Sequence, residues 1–177
     1  MRPQSAWFLA VLFTATPLFA GDPSGRVRCL DTESRQLVEK VSAQSPTVRR
    51  MLARLEASDL ITYIQITPSF QRLRATTRII GTVPEARFVL VTIVSMTSET
   101  DRIQLIGHEL QHVLELAEAP TVRDEAGMVE MYERIGWRES SRAYETAAAV
   151  DAGRTVKLEV LAANRQARNA TVAPGMR

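Results

Sequence analysis

The spacing of apolar residues divides the chain into three blocks, with strands in the middle and helices on either side. Over residues 33–43 and 47–55, apolar side chains recur every three or four positions, which is the period of an amphipathic helix. Between the two segments, Ser45 is a reasonable helix cap and Pro46 stands at a first helical position. The pattern therefore predicts two helices near the start of the domain.

The middle block changes to a strand pattern. Residues 61–67, 72–80 and 87–95 are rich in β-branched and aromatic side chains, and short breaks containing proline or glycine separate them. Short connections favour antiparallel pairing of strands that follow one another. We expect a small antiparallel sheet.

From Ser98 onward the pattern is helical again. Ser98, with Asp101 three positions later, resembles a capping arrangement, and the helix that it begins should reach about Glu118. Further helices are predicted at three segments that Gly136 and Gly153 separate, namely 121–135, 141–151 and 154–168. The order of helices, sheet and helices predicts an α+β domain, in which a small sheet precedes a histidine-bearing helix and a glutamate-bearing helix.

The N-terminus has the composition of a secretory signal peptide. Arg2 precedes an apolar run from Ala6 to Ala20, and the small residue Ala20 offers a cleavage point before Gly21. The run is shorter than the roughly 20 apolar residues of a spanning helix. We expect a signal peptide at 1–20, a loose lead-in at 21–32, one domain at 33–170, and a secreted or periplasmic mature protein.

Charge and cysteine content narrow the function classes. The 22 basic and 20 acidic side chains are nearly balanced, which argues against nucleic acid as a partner. Cys29 is the single cysteine, so no intrachain disulfide is possible, and we interpret it as a free thiol. Nothing in the pattern indicates a membrane span in the mature chain or a particular oligomeric state.

The only two histidines of the chain occur together, in the sequence HELQH at 108–112. A helical wheel gathers six apolar residues on one face and places His108 and His112 together on the opposite face; the six are Ile103, Ile106, Leu110, Val113, Leu114 and Ala117. Side chains four residues apart lie one above the other, so two imidazoles can converge on one ion. A zinc ion would accept them together with one further protein ligand and a water.

Glu109 follows the first histidine, so it is expected to lie beside the ion and not on it. There it can act as general base and acid, taking a proton from the water and passing it to the leaving amine. The alternative is a pair of surface histidines on a polar helix face, because the bare pattern also arises by chance. The shared face and the use of both histidines of the chain favour the metal site.

HELQH on a helix that follows a small sheet resembles the zincin metallopeptidases. Because the chain has no third histidine, the metzincin arrangement is excluded, and the match is closest to gluzincins, in which a glutamate on a later helix completes the site. The resemblance covers roughly Arg87 to Gly153 and includes the later run Tyr-Glu-Thr-Ala-Ala-Ala. It implies a zinc-dependent enzyme in which the strand at 87–95 lies beside the site and binds an extended peptide or protein substrate.

The third ligand has three candidates. Glu145 is followed by a run of alanines that suits a closely packed helix, where a carboxylate needs a cation or strong hydrogen bonds. Glu130 and Glu133 lie nearer to His112, on a segment that carries several other charges. An ion pair between Glu145 and Arg142 within the helix is the non-metal alternative.

Tyr132, Tyr144 or an arginine is a candidate for oxyanion stabilisation, and the pattern does not choose among them. The prediction is an exported zinc metallopeptidase with His108, His112 and Glu145 as metal ligands and Glu109 as the catalytic residue. The alternative function is a non-catalytic zinc-binding or protein-interaction domain with the same helix.

Overall fold

The computed structural model describes residues 25–68, 73–140 and 143–172, so the expected signal peptide at 1–20 lies outside the described residues. The described part is an α+β fold, as predicted. Its elements, in chain order, are β1 (Val27–Cys29), α1 (Thr32–Gln44), α2 (Pro46–Glu56), β2 (Leu60–Thr67), β3 (Ala75–Val83), β4 (Ala86–Val94), α3 (Glu99–Ala117), α4 (Glu125–Ile135), β5 (Trp137–Ser140), β6 (Ala143–Glu145) and α5 (Ala147–Val172).

The first two helices form where the apolar spacing placed them, and their caps explain where they begin. The Asp31 carboxylate accepts a hydrogen bond from the backbone N–H of Ser34 at 2.7 Å, which starts α1. Ser45 caps α2 by accepting from the N–H of Val48 at 3.1 Å, and Pro46 occupies the first helical position. The two-helix prediction is confirmed.

The four-stranded sheet is mixed, where we expected an antiparallel one. Its order is β1-β2-β4-β3; β1 and β4 both pair with β2 in parallel, and only β3 pairs with β4 in antiparallel fashion. Residues 84–85 are a two-residue connection that forces β3 and β4 into a hairpin, but the longer chain after β2 carries β3 to the sheet edge and leaves β4 between β2 and β3. The expected lead-in contributes β1.

The hydrophobic core lies between one face of this sheet and the helices. Burial alternates along β2, where Leu60, Thr62, Ile64 and Ile66 are buried and the residues between them are only partly covered. The same core cluster includes apolar residues of α1, α2, α3 and α5. The helix α3 is therefore part of the helical layer that packs on this face of the sheet.

The C-terminal part differs from the prediction. Within the segment predicted as a helix at 141–151, Ala143–Glu145 form β6, which makes a small antiparallel hairpin with β5. The helix α5 then runs without a break through Gly153. A Cβ at Gly153 would lie 2.8 Å from the carbonyl oxygen of Gln104 and 3.1 Å from Cβ of His108. The glycine therefore permits close packing of α5 on α3 and does not end a helix.

Arg87 fixes the end of α3 from the neighbouring strand. Its side chain is fully buried, forms a two-point ion pair with Asp59 at 2.7 and 2.8 Å, and donates to the carbonyls of Leu116, Ala119 and Val122. These carbonyls lie at and just beyond the helix end, where the helix itself supplies no further donors. Those of Leu116 and Ala119 also accept from the backbone N–H groups of Ala119 and Val122, at 3.1 and 3.0 Å. Among the helices of the described residues, none is both long and apolar enough to cross a bilayer.

Candidate metal centre

The histidine helix places its two imidazoles side by side, as its spacing predicted. Ser98 caps α3 by accepting from the N–H of Asp101 at 3.1 Å, and the helix continues to Ala117. The ring centroids of His108 and His112 are 4.8 Å apart, with the rings nearly perpendicular. Both Nε2 atoms face the same carboxylate, that of Glu145.

The helical wheel alone suggested that the histidine face of α3 is open to solvent. In the structure this face is largely covered. Only 6% of His112 and 4% of Glu109 is exposed, and Leu116 is fully buried. The cause is tertiary packing, because α5 lies against α3 through Gly153 and the ring of Tyr132 on α4 stands edge-on to His112, 5.2 Å away. The histidines therefore lie in a partly enclosed site between helices.

Glu145 reaches the histidines from a strand end and not from a helix. It is the last residue of β6, directly opposite Trp137 on β5, and the next residue, Thr146, caps α5 by accepting from the N–H of Ala149 at 3.0 Å. Its Oε2 lies 3.4 Å from Nε2 of His108, and its Oε1 lies 3.6 Å from Nε2 of His112. The backbone N–H of Thr146 donates to Oε1 at 2.8 Å.

These distances suit a shared ion. Three ligand atoms, one each from His108, His112 and Glu145, lie within 4.8 Å of one another. Two ligand atoms bound at about 2.0–2.1 Å in a tetrahedral site stand roughly 3.3 Å apart, close to the observed 3.4 and 3.6 Å. Those separations exceed the usual range of a direct N–H···O hydrogen bond. The two nitrogens and one oxygen are also the donor set of a catalytic zinc site, so the residues fit the ion.

Glu109 lies beside this group, as expected for a residue that is near the ion without binding it. It is buried, and its Oε2 accepts a hydrogen bond of 2.6 Å from the hydroxyl of Thr77 on β3. Burial raises the pKa of Glu109 against the lowering effect of the two histidines and Thr77. A carboxyl with a raised pKa is suited to both accept and return a proton.

The side chains of His112 and Glu145 shift each other's pKa in opposite directions. Burial opposes protonation of His112, but the hydrogen bond to Glu115 and the nearby carboxylate of Glu145 outweigh it and raise the pKa of His112 to about 9. Burial also opposes ionisation of Glu145, but the neighbouring imidazoles of His112 and His108 lower the pKa of Glu145. Binding of a cation here would require a neutral His112 with its Nε2 free of a proton.

The other predicted candidates lie elsewhere. Glu130 is exposed on α4, and Glu133 interacts with Arg138 and with the hydroxyl of Tyr144. Tyr132 is buried and donates to the backbone oxygen of His112 at 3.3 Å. Arg142, the partner of Glu145 in the non-metal alternative, lies outside the described residues.

Three polar side chains of the site were missed from the sequence. Glu115 contacts both His112 and Thr146, the residue that follows Glu145. Thr77 donates a hydrogen bond to Glu109. Glu115 had a readable signal, because it follows His112 by three positions, one helical turn. Thr77 had none, since the strand that carries it is brought to α3 only by the fold.

In comparisons with known proteins, the chain matches no protein-family model, no curated protein and no solved structure. The assignment of the site therefore rests on the geometry of His108, His112, Glu145 and Glu109.

Proposed function

We propose that the chain is an exported zinc-dependent metallopeptidase of the gluzincin-like type, with His108, His112 and Glu145 as metal ligands. The observation that carries the proposal is the convergence of the chain's only two imidazoles and one carboxylate, from separate elements, within 4.8 Å. Glu109 lies next to them, buried and held by Thr77. This is the donor set and the neighbouring carboxylate that metal-assisted peptide hydrolysis requires.

Glu109 performs the proton transfers. When bound, zinc lowers the pKa of a water molecule and polarises the carbonyl of the scissile bond. The hydroxyl of Thr77 engages Oε2 of Glu109, and we assign Oε1 to take the proton of the attacking water and deliver it to the leaving amine nitrogen. Burial of Glu109 keeps this carboxylate out of bulk water, which strengthens its interactions within the site.

The peptide or protein substrate is assigned to the edge of β3. We expected the segment 87–95 to lie beside the site as a substrate-binding strand, but β4 is covered on both sides by β2 and β3. In the described sheet β3 is one of the two edge strands, the other being β1, and Thr77 of β3 contacts Glu109. An extended peptide that adds to this edge would pass close to the catalytic carboxylate.

The substitution Glu109→Gln tests the catalytic role. It should leave zinc content unchanged but lower cleavage of a peptide library by about 10²- to 10⁴-fold, because the amide cannot accept the water's proton. His112→Ala should lose the zinc itself, measured by elemental analysis of the purified protein. Glu130→Gln, which removes an exposed carboxylate on α4, is the matched control and should retain both zinc and activity.

Two results would change the assignment. Undiminished hydrolysis in Glu109→Gln would remove the role given to that residue. Stoichiometric zinc in a wild-type protein that cleaves no peptide would favour the non-catalytic zinc-binding domain. Export rests on residues 1–20 alone, and the mass of the mature protein from an expressing cell, expected to begin at Gly21, tests it.

A further inference from the structure

Glu115 is a buried carboxylate that the proposed reaction does not use. It lies on α3, one turn after His112, and only 8% of it is exposed. Its Oε2 lies 2.8 Å from Nδ1 of His112, and its Oε1 accepts a hydrogen bond of 2.6 Å from the hydroxyl of Thr146. Both oxygens therefore have partners inside the protein, as a buried carboxylate requires.

The two partners belong to the two chain segments that bring the metal ligands together. His112 is a ligand on α3, whereas Thr146 directly follows Glu145, the ligand that ends β6. Thr146 is 3% exposed, caps α5 through Ala149, and donates its backbone N–H to Oε1 of Glu145. One carboxylate thus connects the histidine helix to the strand end that supplies the glutamate.

The contact with His112 also selects which ring nitrogen is available. A proton on Nδ1 is held by Glu115, so the lone pair of the neutral ring is on Nε2, the atom that faces Glu145 at 3.6 Å. A carboxylate on the far nitrogen of a metal-binding histidine fixes the ring orientation and increases its basicity. Glu115 is placed to do this for His112.

The contact with Thr146 addresses a different need. All four residues of β5 are exposed and β6 is only partly buried, so the hairpin has little packing of its own to fix the position of Glu145. The hydrogen bond from Thr146 to Glu115 joins the end of this hairpin to α3 in a buried location. It acts at the residue next to the ligand.

We propose that Glu115 is a positioning residue that sets both halves of the metal site at once, orienting the ring of His112 and anchoring Thr146 beside Glu145. The proposal rests on the metal-binding function proposed above. It implies that the hydroxyl of Thr146 contributes to metal affinity although it does not contact the ion. Glu115 and Thr146 should then behave as one unit.

The test measures zinc affinity of the full chain by competition with a chromogenic chelator, so that it does not depend on turnover. Glu115→Gln, which is nearly isosteric but uncharged, should bind zinc about 10- to 100-fold more weakly. Thr146→Val removes the hydroxyl and should also weaken binding, whereas Thr146→Ser keeps the hydroxyl and should restore it. Glu130→Gln removes an exposed carboxylate and should bind like the wild type.

Two further readouts separate positioning from general stabilisation. In the double variant Glu115→Gln/Thr146→Val, the losses of affinity should be less than additive, because the two side chains form one connection. In the zinc-loaded wild type, nitrogen chemical shifts of His112 should show a protonated Nδ1 and a metal-bound Nε2, and Glu115→Gln should disturb that signature. A purely structural role would lower thermal stability of the metal-free protein and leave zinc affinity and these shifts unchanged.

The outcomes are distinguishable from failure of the proposed function. Wild-type zinc affinity in folded Glu115→Gln and Thr146→Val would overturn the positioning role while leaving the metal site in place. A wild-type protein that binds no zinc at all would remove the metal site and the positioning role together.

Discussion

Gly136 lies beside Glu145 at a position that leaves no room for a side chain. It ends α4 immediately before β5, and a Cβ added there would lie 2.1 Å from the carbonyl oxygen of Glu145. Its φ is −143°, an ordinary backbone value, so the constraint is space and not conformation. The contact is with the backbone of Glu145, the proposed metal ligand. A backbone carbonyl cannot move aside by rotation of a side chain.

We expect Gly136→Ala to displace the end of β6 and with it the carboxylate of Glu145. The variant should lose about 2–3 kcal/mol of unfolding free energy, typical of a forced overlap, and should bind zinc more weakly than the wild type. Urea unfolding and chelator competition measure the two effects. Gly81→Ala is the matched control, because its added Cβ would meet Phe88 at 3.7 Å, an ordinary contact; equal behaviour of the two variants would contradict the steric argument.

Cys29 is a second position where the environment of one residue gives a measurable property. It is a free, partly buried thiol near the start of α1, and burial raises its pKa to about 11 from 9.0. Because the folded pKa lies above the unfolded one, its contribution to stability is fully present below about pH 9. That contribution is lost as pH rises through about 11.

Alkylation of Cys29 by iodoacetamide tests this environment. At pH 8 the folded protein should react about 100-fold more slowly than the urea-unfolded chain, since the thiolate is the reactive form. The rate for the folded protein should continue to increase up to about pH 11, whereas the rate for the unfolded chain should level off earlier. A folded-state rate that reached its plateau near pH 9 would show an unperturbed thiol.

At the scale of elements, α3 is held at both ends by groups outside its own backbone ladder. Ser98 satisfies an N–H at its start, and Arg87 from β4 satisfies carbonyls at and beyond its end. Gly153 then allows α5 to lie close to its histidine face. The position of both imidazoles therefore depends on contacts from a strand, a cap and a second helix.

Replacing Arg87 should destabilise the domain strongly. Arg87→Met leaves Asp59 without its ion-pair partner and removes the side-chain donor from three carbonyls, and we expect a loss of about 3–5 kcal/mol of unfolding free energy. Arg54 is the matched control, since it pairs with Glu118 near the same helix end but is 57% exposed. Arg54→Ala should cost less than about 1 kcal/mol. Similar urea midpoints for the two variants would mean that the contacts of Arg87 at the end of α3 do not stabilise the domain.

For the molecule as a whole, the proposed ion would connect two parts of the chain that are far apart in sequence. His108 and His112 lie on α3, whereas Glu145 ends the β5–β6 hairpin that follows α4. With a single cysteine, no disulfide can make an equivalent covalent link. Any ligand that binds only the folded state stabilises it by mass action.

Zinc removal should therefore lower the melting temperature. At free zinc 100 times the dissociation constant, the ion contributes about 2.7 kcal/mol, which corresponds to roughly 5–10 °C for a domain of this size. Differential scanning calorimetry with and without EDTA measures the shift. The double variant His108→Ala/His112→Ala should show no difference between the two conditions, and an EDTA-insensitive wild type would argue against a bound structural or catalytic ion.

Several elements were predictable because their cause is local. The helices at α1, α2 and α3 follow from apolar spacing and from caps a few residues away, and the juxtaposition of His108 and His112 follows from one helical turn. The later helices were predicted less well. A glycine such as Gly153 often marks the end of a helix, but here it allows α5 to pack closely on α3. The strand at β6 was missed, since a three-residue strand has too little period to recognise.

By itself, the sequence determined the α+β class, the main helices and the pairing of two imidazoles, all of which depend on interactions within one or two turns of chain. It also identified Glu145 as a candidate ligand, through the alanines that follow it. Only the tertiary structure decided that Glu145 approaches from a strand end, that the edge strand β3 contacts Glu109 while β4 lies inside the sheet, and that Glu115, Thr146 and Thr77 support the site. These depend on contacts between residues about 30 positions apart, which are fixed by packing of the whole domain and leave no periodic signal in the sequence.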